Sequence, residues 1–307
     1  DGQADFVLYH AVVDNVFTTG NMDYQHLDYW TNRSQDQYSD GAIMVPYLGS
    51  HDSPRYLSRI DNDGTQWNQW QEDNLPSNPA ATSFESAKQG IAWLLTTPGA
   101  PMLYMGDEFG QHGGADPDNR RMLNFTLDTQ QQDLHNFTAE IANLRLEHEA
   151  LRRGVYSTFH AETDLLAYEM TTDEESLLVI LNRGEVAQLE SDYDEVIFGD
   201  ATLFDNALAI SANSVTIVAK STVEENQTTN NTDNGNSSVT NNTTNQTTNN
   251  TQPDDNNSED DSQVDDDESA ASDESDSSNW VRNILLIGVL IAVVVFIQMN
   301  RRSGDNR

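Results

Sequence analysis

The sequence predicts an α/β region followed by an all-β domain, on three observations. Over residues 1–154, short apolar runs alternate with stretches whose apolar residues recur every three or four positions, as in a parallel sheet with crossover helices. From Val155 the pattern becomes short alternating strands, which implies a separate antiparallel β-domain over 155–220. Beyond that, residues 221–279 are almost purely Asn, Thr, Ser, Asp and Glu, and residues 280–299 are apolar.

Taken in order, Phe6–Tyr9 reads as a short strand, and His10–Phe17 as a helix with Val12, Val13, Val16 and Phe17 on one side. Ala42–Leu48 is an apolar strand ending at Gly49. Ser83–Thr97 is a helix with Phe84, Ala87, Ile91 and Leu94/Leu95 on one face, stopped by Pro98-Gly99. Pro101–Met105 is a second buried strand ending at Gly106, and Leu134–Arg152 is another helix. In the β-domain, strands are expected at Leu165–Met170, Leu177–Asn182, Glu195–Phe198 and Val215–Val218.

Residues 221–279 have no aromatic side chains and very few aliphatic ones, so they cannot bury enough surface to fold; a disordered linker is expected. Its first half, 224–252, holds seven N-x-S/T sequons, and its second half is acidic. A flexible spacer and a glycosylated stalk are compatible readings. Residues 280–299, from Trp280 to Met299, reach the roughly 20 residues a bilayer requires. Arg301 and Arg302 follow in a short basic tail over 300–307, which marks the cytoplasmic side. A single-pass anchor in the cell membrane is therefore expected, with the N-terminal domain outside.

The chain carries 51 acidic and 15 basic side chains, a formal net charge of −36. Such a charge keeps a chain soluble and repels nucleic acid, so no nucleic-acid partner is expected. It suits a salty habitat, where self-repulsion is screened, and equally serves solubility. There is no cysteine, which excludes disulfides and thiolate chemistry.

Two strand ends carry the candidate chemistry. One is Leu48-Gly49-Ser50-His51-Asp52-Ser53-Pro54-Arg55; the other is Gly106-Asp107-Glu108-Phe109-Gly110, followed by Gly113-Gly114-Ala115-Asp116-Pro117-Asp118-Asn119-Arg120-Arg121. In α/β barrels, residues just after the C-terminal ends of strands line the active site. A His-Asp pair there can hydrogen-bond sugar hydroxyls and stabilise positive charge, and an acid–Arg cluster can grip a polar ligand. Each motif alone also fits a capped turn with surface salt bridges.

Together, in this order and about 50 residues apart, the motifs resemble glycoside hydrolase family 13, the α-amylase family. LGSHDSPR is similar to the signature at the end of barrel strand seven, in the form seen in neopullulanases and cyclomaltodextrinases. TTPGAPMLYMGDEFGQHGGADPDNRR is similar to the strand-eight segment. The resemblance implies that residues 1–154 are the C-terminal part, about strands six to eight, of a TIM (β/α)8 barrel, and that 155–220 are the small β-sandwich that follows it. It implies that Asp52 is the third catalytic carboxylate, which stabilises the transition state, and that His51 contacts the same sugar. It assigns Asp116 and Arg120 to a sugar further along the substrate. Arg55 is a candidate substrate-binding residue; Asp107, Glu108 and Arg121 read as structural, and His112 as solvent-facing.

The nucleophile and the general acid/base of such enzymes sit on strands four and five, and neither motif has a counterpart in this sequence. Glu72 and Glu85 lie where neither role belongs. The chain thus reads as the C-terminal fragment of a retaining α-glucan hydrolase acting on α-glucan or maltooligosaccharide, inactive by itself. A transglycosylase of the same family and a non-catalytic surface glycan-binding or interaction protein are the alternatives. No cofactor is evident, and the resemblance allows Ca2+ only in portions not present.

Overall fold

A computed structural model of the chain describes residues 2–220, apart from 40 and 72. The expected linker, membrane span and basic tail, and Glu72, lie outside the described residues. Among the described residues, no helix is long and apolar enough to cross a membrane.

The parallel sheet is small. Strand β1 (Gly2–Ala4) pairs in parallel with β2 (Ile43–Val45), in register Gly2↔Ile43 to Ala4↔Val45. On the other side of β2 the chain returns at residues 100–102. There Ala100 N–H donates to the Met44 carbonyl at 2.9 Å and Met102 N–H to that of Pro46 at 2.9 Å, with a single parallel bridge between Tyr47 and Met102. The strand expected over Pro101–Met105 is thus reduced to one bridge. Pro101 has no N–H to donate, and Gly106, at φ 93°, turns the chain into a single 3-10 turn over Asp107–Phe109.

The expected strand over Phe6–Tyr9 is a correction. Asp5 ends β1 and accepts the Leu8 N–H at 2.8 Å, which caps a helical turn, α1 (Phe6–Leu8). The turn runs on as π-helix over Tyr9–Thr18, burying Val12, Val13, Val16 and Phe17. Next come α2 (Tyr24–Gln37), capped by Asp23, α3 (Tyr56–Asp61) and α4 (Ala81–Thr96). The expected helix over Leu134–Arg152 is two helices, α5 (Thr129–Glu147) and α6 (Glu149–Arg153), broken at the extended His148. A reciprocal Asp128/Gln131 capping box starts α5.

From Val155 the chain is antiparallel. A five-stranded sheet runs β3 (Val155–Ala161), β4 (Leu165–Thr171), β5 (Ser176–Asn182), β10 (Ser214–Ala219), β7 (Glu195–Phe198). A three-stranded sheet runs β6 (Ala187–Glu190), β9 (Ala207–Ile210), β8 (Ala201–Phe204). The sequence pattern predicts short alternating strands, but β4, β5 and β10 are buried on both faces. Leu165, Ala167, Leu178, Ile180 and Val218 pack with Leu189, Leu208 and Ile210 of the smaller sheet. The opposite set, Leu166, Tyr168, Met170, Val179, Leu181 and Ile217, shares a core with Ile91, Leu94 and Ile141 of the helices. A strand covered on both faces needs apolar residues at every position, which is why Ser176–Asn182 reads SLLVILN.

The β-domain is therefore not separate, since one core runs through both regions. Helix α4 is buried at every position from Gln89 to Thr96, as expected for a helix enclosed on all sides. Its polar groups are matched: Gln89 donates to the carbonyls of Asn182 and Ser214 at 3.2 and 3.1 Å, and Trp93 Nε1 donates to Thr31 Oγ1 at 3.2 Å. Arg145 of α5 closes the C-terminal end of α4, donating to the carbonyls of Leu95, Thr97 and Gly99 at 2.9, 3.2 and 2.7 Å, and also to that of Leu151.

Candidate functional site

Strand β2 delivers the chain into a tight turn at Ser50–Ser53. The Ser50 N–H donates to Ser53 Oγ at 3.0 Å, the Asp52 N–H to Ser50 Oγ at 3.2 Å, and the Ser53 N–H to the Ser50 carbonyl at 3.3 Å. The turn closes on its own backbone and serine hydroxyls, and the His51 and Asp52 side chains are 61% and 73% exposed.

The second loop comes to meet them. His51 Nε2 lies 3.2 Å from Asp52 Oδ1, and Arg120 Nη2 lies 3.7 Å from that same oxygen. Arg120 also reaches Asp116, with Nε 3.1 Å from Oδ1 and Nη2 donating to Oδ2 at 3.4 Å. The four residues His51, Asp52, Arg120 and Asp116 thus form one continuous polar surface, although 64 positions separate Asp52 from Asp116 in the sequence. Such a surface offers carboxylate acceptors and guanidinium donors side by side, the inventory that neutral hydroxyl-rich ligands require.

Beneath this surface lies a buried layer that sequence reading missed. Asn119 is fully buried, and its Nδ2 donates to the carbonyls of His51 and Ser53, both at 2.8 Å. One amide thus ties the strand-eight loop to the turn bearing His51 and Asp52. Arg55, a candidate substrate-binding residue, is placed here instead, with its side chain 0% exposed. Its Nε donates to the Asn119 carbonyl at 2.7 Å and its Nη1 to the carbonyl of Met105, while its guanidinium stacks over the Tyr104 ring at 4.1 Å. It supports the turn from below and is not presented to a ligand.

Arg55 Nη1 also lies 3.4 Å from Asp107 Oδ1. Burial pushes the Asp107 carboxyl up to about 7, with Arg55 opposing the rise and Glu108 adding to it. Gly49 lets this carboxyl come close, since a Cβ there would sit 3.2 Å from Asp107 Oδ2. Asp118 anchors the loop, accepting from Gly114 N–H at 2.5 Å and from Arg121 Nε and Nη2 at 2.7 and 2.9 Å. His112 is half-buried rather than solvent-facing, and burial together with Arg121 lowers its pKa. The Asp116–Pro117 peptide is cis. Among the described residues, no group of three or more His, Asp or Glu side chains could hold a metal ion.

The family model for the α-amylase catalytic domain matches residues 1–133, the stretch that contains both loops. The matched stretch is 133 of the chain's 307 residues. Among curated relatives, the amylopullulanase of Thermoanaerobacter thermohydrosulfuricus is 29% identical over 225 residues, which cover 67% of this chain and 14% of that protein. Neopullulanase 2 of Thermoactinomyces vulgaris is 27% identical over 183 residues, 58% of this chain and 28% of that protein. The chain therefore spans less than a third of the length of these relatives. Among solved structures, an Anoxybacillus α-amylase superposes with a TM-score of 0.58 at 22% identity, covering 71% of this chain and 47% of that one. The cyclic α-maltosyl-(1→6)-maltose hydrolase of Arthrobacter globiformis, a structure solved also with maltose, gives 0.57 at 23% identity, with coverage of 72% and 45%. These likenesses cover more of the chain than residues 1–133 and show a fold that it shares with part of an α-amylase.

Proposed function

We propose that this chain belongs to a retaining α-glucan hydrolase of the neopullulanase and cyclomaltodextrinase type. The observation that carries the reading is the single surface formed by His51, Asp52, Arg120 and Asp116 at the C-terminal end of parallel strands, in a stretch of the α-amylase family. The substrate names carried by the relatives, pullulan, cyclomaltodextrin and maltose-based rings, support α-linked glucose chains as its ligands.

In this reading, Asp52 accepts hydrogen bonds from hydroxyls of the sugar being cleaved. As C1 acquires oxocarbenium character, a carboxylate beside the ring gains Coulombic stabilisation that it lacked in the ground state, so its effect falls on kcat. His51 donates to the same sugar. Asp116 and Arg120, already paired, present an acceptor and donors to a neighbouring sugar and fix its position. The nucleophile and the general acid are assigned to strands four and five of a complete barrel, about 5–5.5 Å apart as retention of configuration requires. The apolar run over 280–299 is assigned to anchoring the protein at the cell surface.

The test is hydrolysis of maltooligosaccharides, cyclomaltodextrin and pullulan by the intact protein, with the product anomer followed by NMR. Retention is expected, and Asp52→Asn is expected to lower kcat by about 10²–10³-fold with a smaller change in KM. An unchanged kcat in Asp52→Asn refutes the assignment. Transfer products in place of hydrolysis would favour the transglycosylase, and no turnover at all the non-catalytic surface protein.

A further inference from the structure

The loop between α3 and α4 takes no part in the site described so far, yet it runs beside it. Four of its non-glycine residues have left-handed backbones: Asp63 (φ 49°), Trp67 (48°), Trp70 (62°) and Asn74 (60°). That region is costly for a bulky side chain and is kept only where the surroundings enforce it. Here they do. Trp67 packs against the second site loop, where a Cβ on Gly114 would lie 3.3 Å from Trp67 Cγ, and its Nε1 donates to the Asn74 carbonyl at 2.8 Å. The Trp70 N–H donates to the carbonyl of Asp116 at 2.8 Å.

The two tryptophans differ in outcome. Trp67 is partly covered, whereas Trp70 is 73% exposed, and among the described residues its indole has no ring partner. An exposed indole, whose backbone is bonded to the residue that grips Arg120, is a flat apolar surface on the loop next to the polar one. The apolar C–H face of a pyranose fits such a surface, while its hydroxyls at the rim stay in water or reach Asp116.

We propose that Trp70 is a stacking platform for a glucosyl unit one or two positions beyond the sugar held by Asp116 and Arg120, so that the site selects longer α-glucans over short ones. The contact path Asp52, Arg120, Asp116, Trp70 gives the direction in which the bound chain runs. This inference rests on the glucan-binding reading above and extends it by one specificity-determining residue.

The experiment compares the affinity of the intact protein for maltotriose and maltohexaose by isothermal titration calorimetry, in the parent, Trp70→Ala, Trp70→Phe and Arg120→Ala. Trp70→Ala is expected to weaken maltohexaose roughly tenfold, the loss of one buried sugar face, and to leave maltotriose within about twofold. Trp70→Phe should recover most of the loss, because a benzene ring still stacks, and this excludes a collapsed loop as the cause. If Arg120→Ala weakens both sugars while Trp70→Ala changes neither, the platform is overturned and the glucan site stands. If none of the variants alters binding of either sugar, the glucan reading itself falls and takes the platform with it.

Discussion

Asn119→Ala is the perturbation that most directly tests how the two site loops are held together. The side chain is 0% exposed and makes two hydrogen bonds of 2.8 Å to backbone carbonyls 68 and 66 positions away. A net contribution of about 0.5–1.5 kcal/mol per bond gives about 1–3 kcal/mol, with the upper half favoured because truncation leaves the His51 and Ser53 carbonyls without their donor. For a region of this size, that lowers Tm by about 2–12 °C. The loss is also local. The Ser50–Ser53 turn keeps its internal bonds but loses its tether, so the backbone amides of His51 and Asp52 should exchange hydrogen faster, while those of β4 and β5 stay protected. Thermal unfolding and hydrogen–deuterium exchange of the intact protein, resolved by peptide, measure both effects. A Tm within 1 °C of the parent, with unchanged exchange over residues 50–53, would show that Asn119 does not hold the turn.

Two further outcomes follow from the buried layer and the sheet. Asp107 has a folded-state pKa of about 7, against about 3.9 in an unfolded chain. Between those values the folded state holds a proton that the unfolded state has released, so this group's contribution is fully present below pH 4 and is lost as pH rises through 7. Asp107→Asn is locked in the neutral form, and its stability relative to the parent should rise between pH 4.5 and 7.5, by at most about 4 kcal/mol; urea denaturation at the two pH values measures this, and parallel curves refute it. Gly99 has φ 104°, and a Cβ there would sit 2.5 Å from the Met44 carbonyl that accepts the Ala100 N–H. Gly99→Ala should cost about 2–4 kcal/mol in denaturant unfolding, and a cost below 1 kcal/mol would show that the close approach relaxes freely.

What could be read from the sequence follows the range of the forces involved. The helix expected over Ser83–Thr97 is observed over Ala81–Thr96, because its periodicity and its Pro-Gly stop are local signals. The central β strands lie where the sequence places them, but their burial on both faces departs from the alternation expected of them. Helix α2 was missed because its buried positions, Tyr24, Leu27, Thr31 and Ser34, are half polar and leave no apolar stripe, although Asp23 was a readable cap. Strand β1 reads Gly-Gln-Ala and has no β propensity; pairing with β2 alone makes it a strand. Asp5 could have warned that Phe6–Leu8 is helical. His51, Asp52, Asp116 and Arg120 are singled out by motif and the structure brings them together, while Asn119 and the burial of Arg55 depend on contacts between residues more than 60 positions apart. Nothing nearby in the sequence announces them.

The enclosure of α4 has a consequence for how the protein is made. Its apolar surface is covered partly by strands that end at Ala219, more than a hundred residues after the helix ends at Thr96. At about 5–20 residues per second, a ribosome needs roughly 6–25 s to deliver that cover. Throughout that interval, the side chains of α4 that pack against β5 and β10 stand on a nascent chain without those partners, although Trp93 already has Phe17 and Thr31.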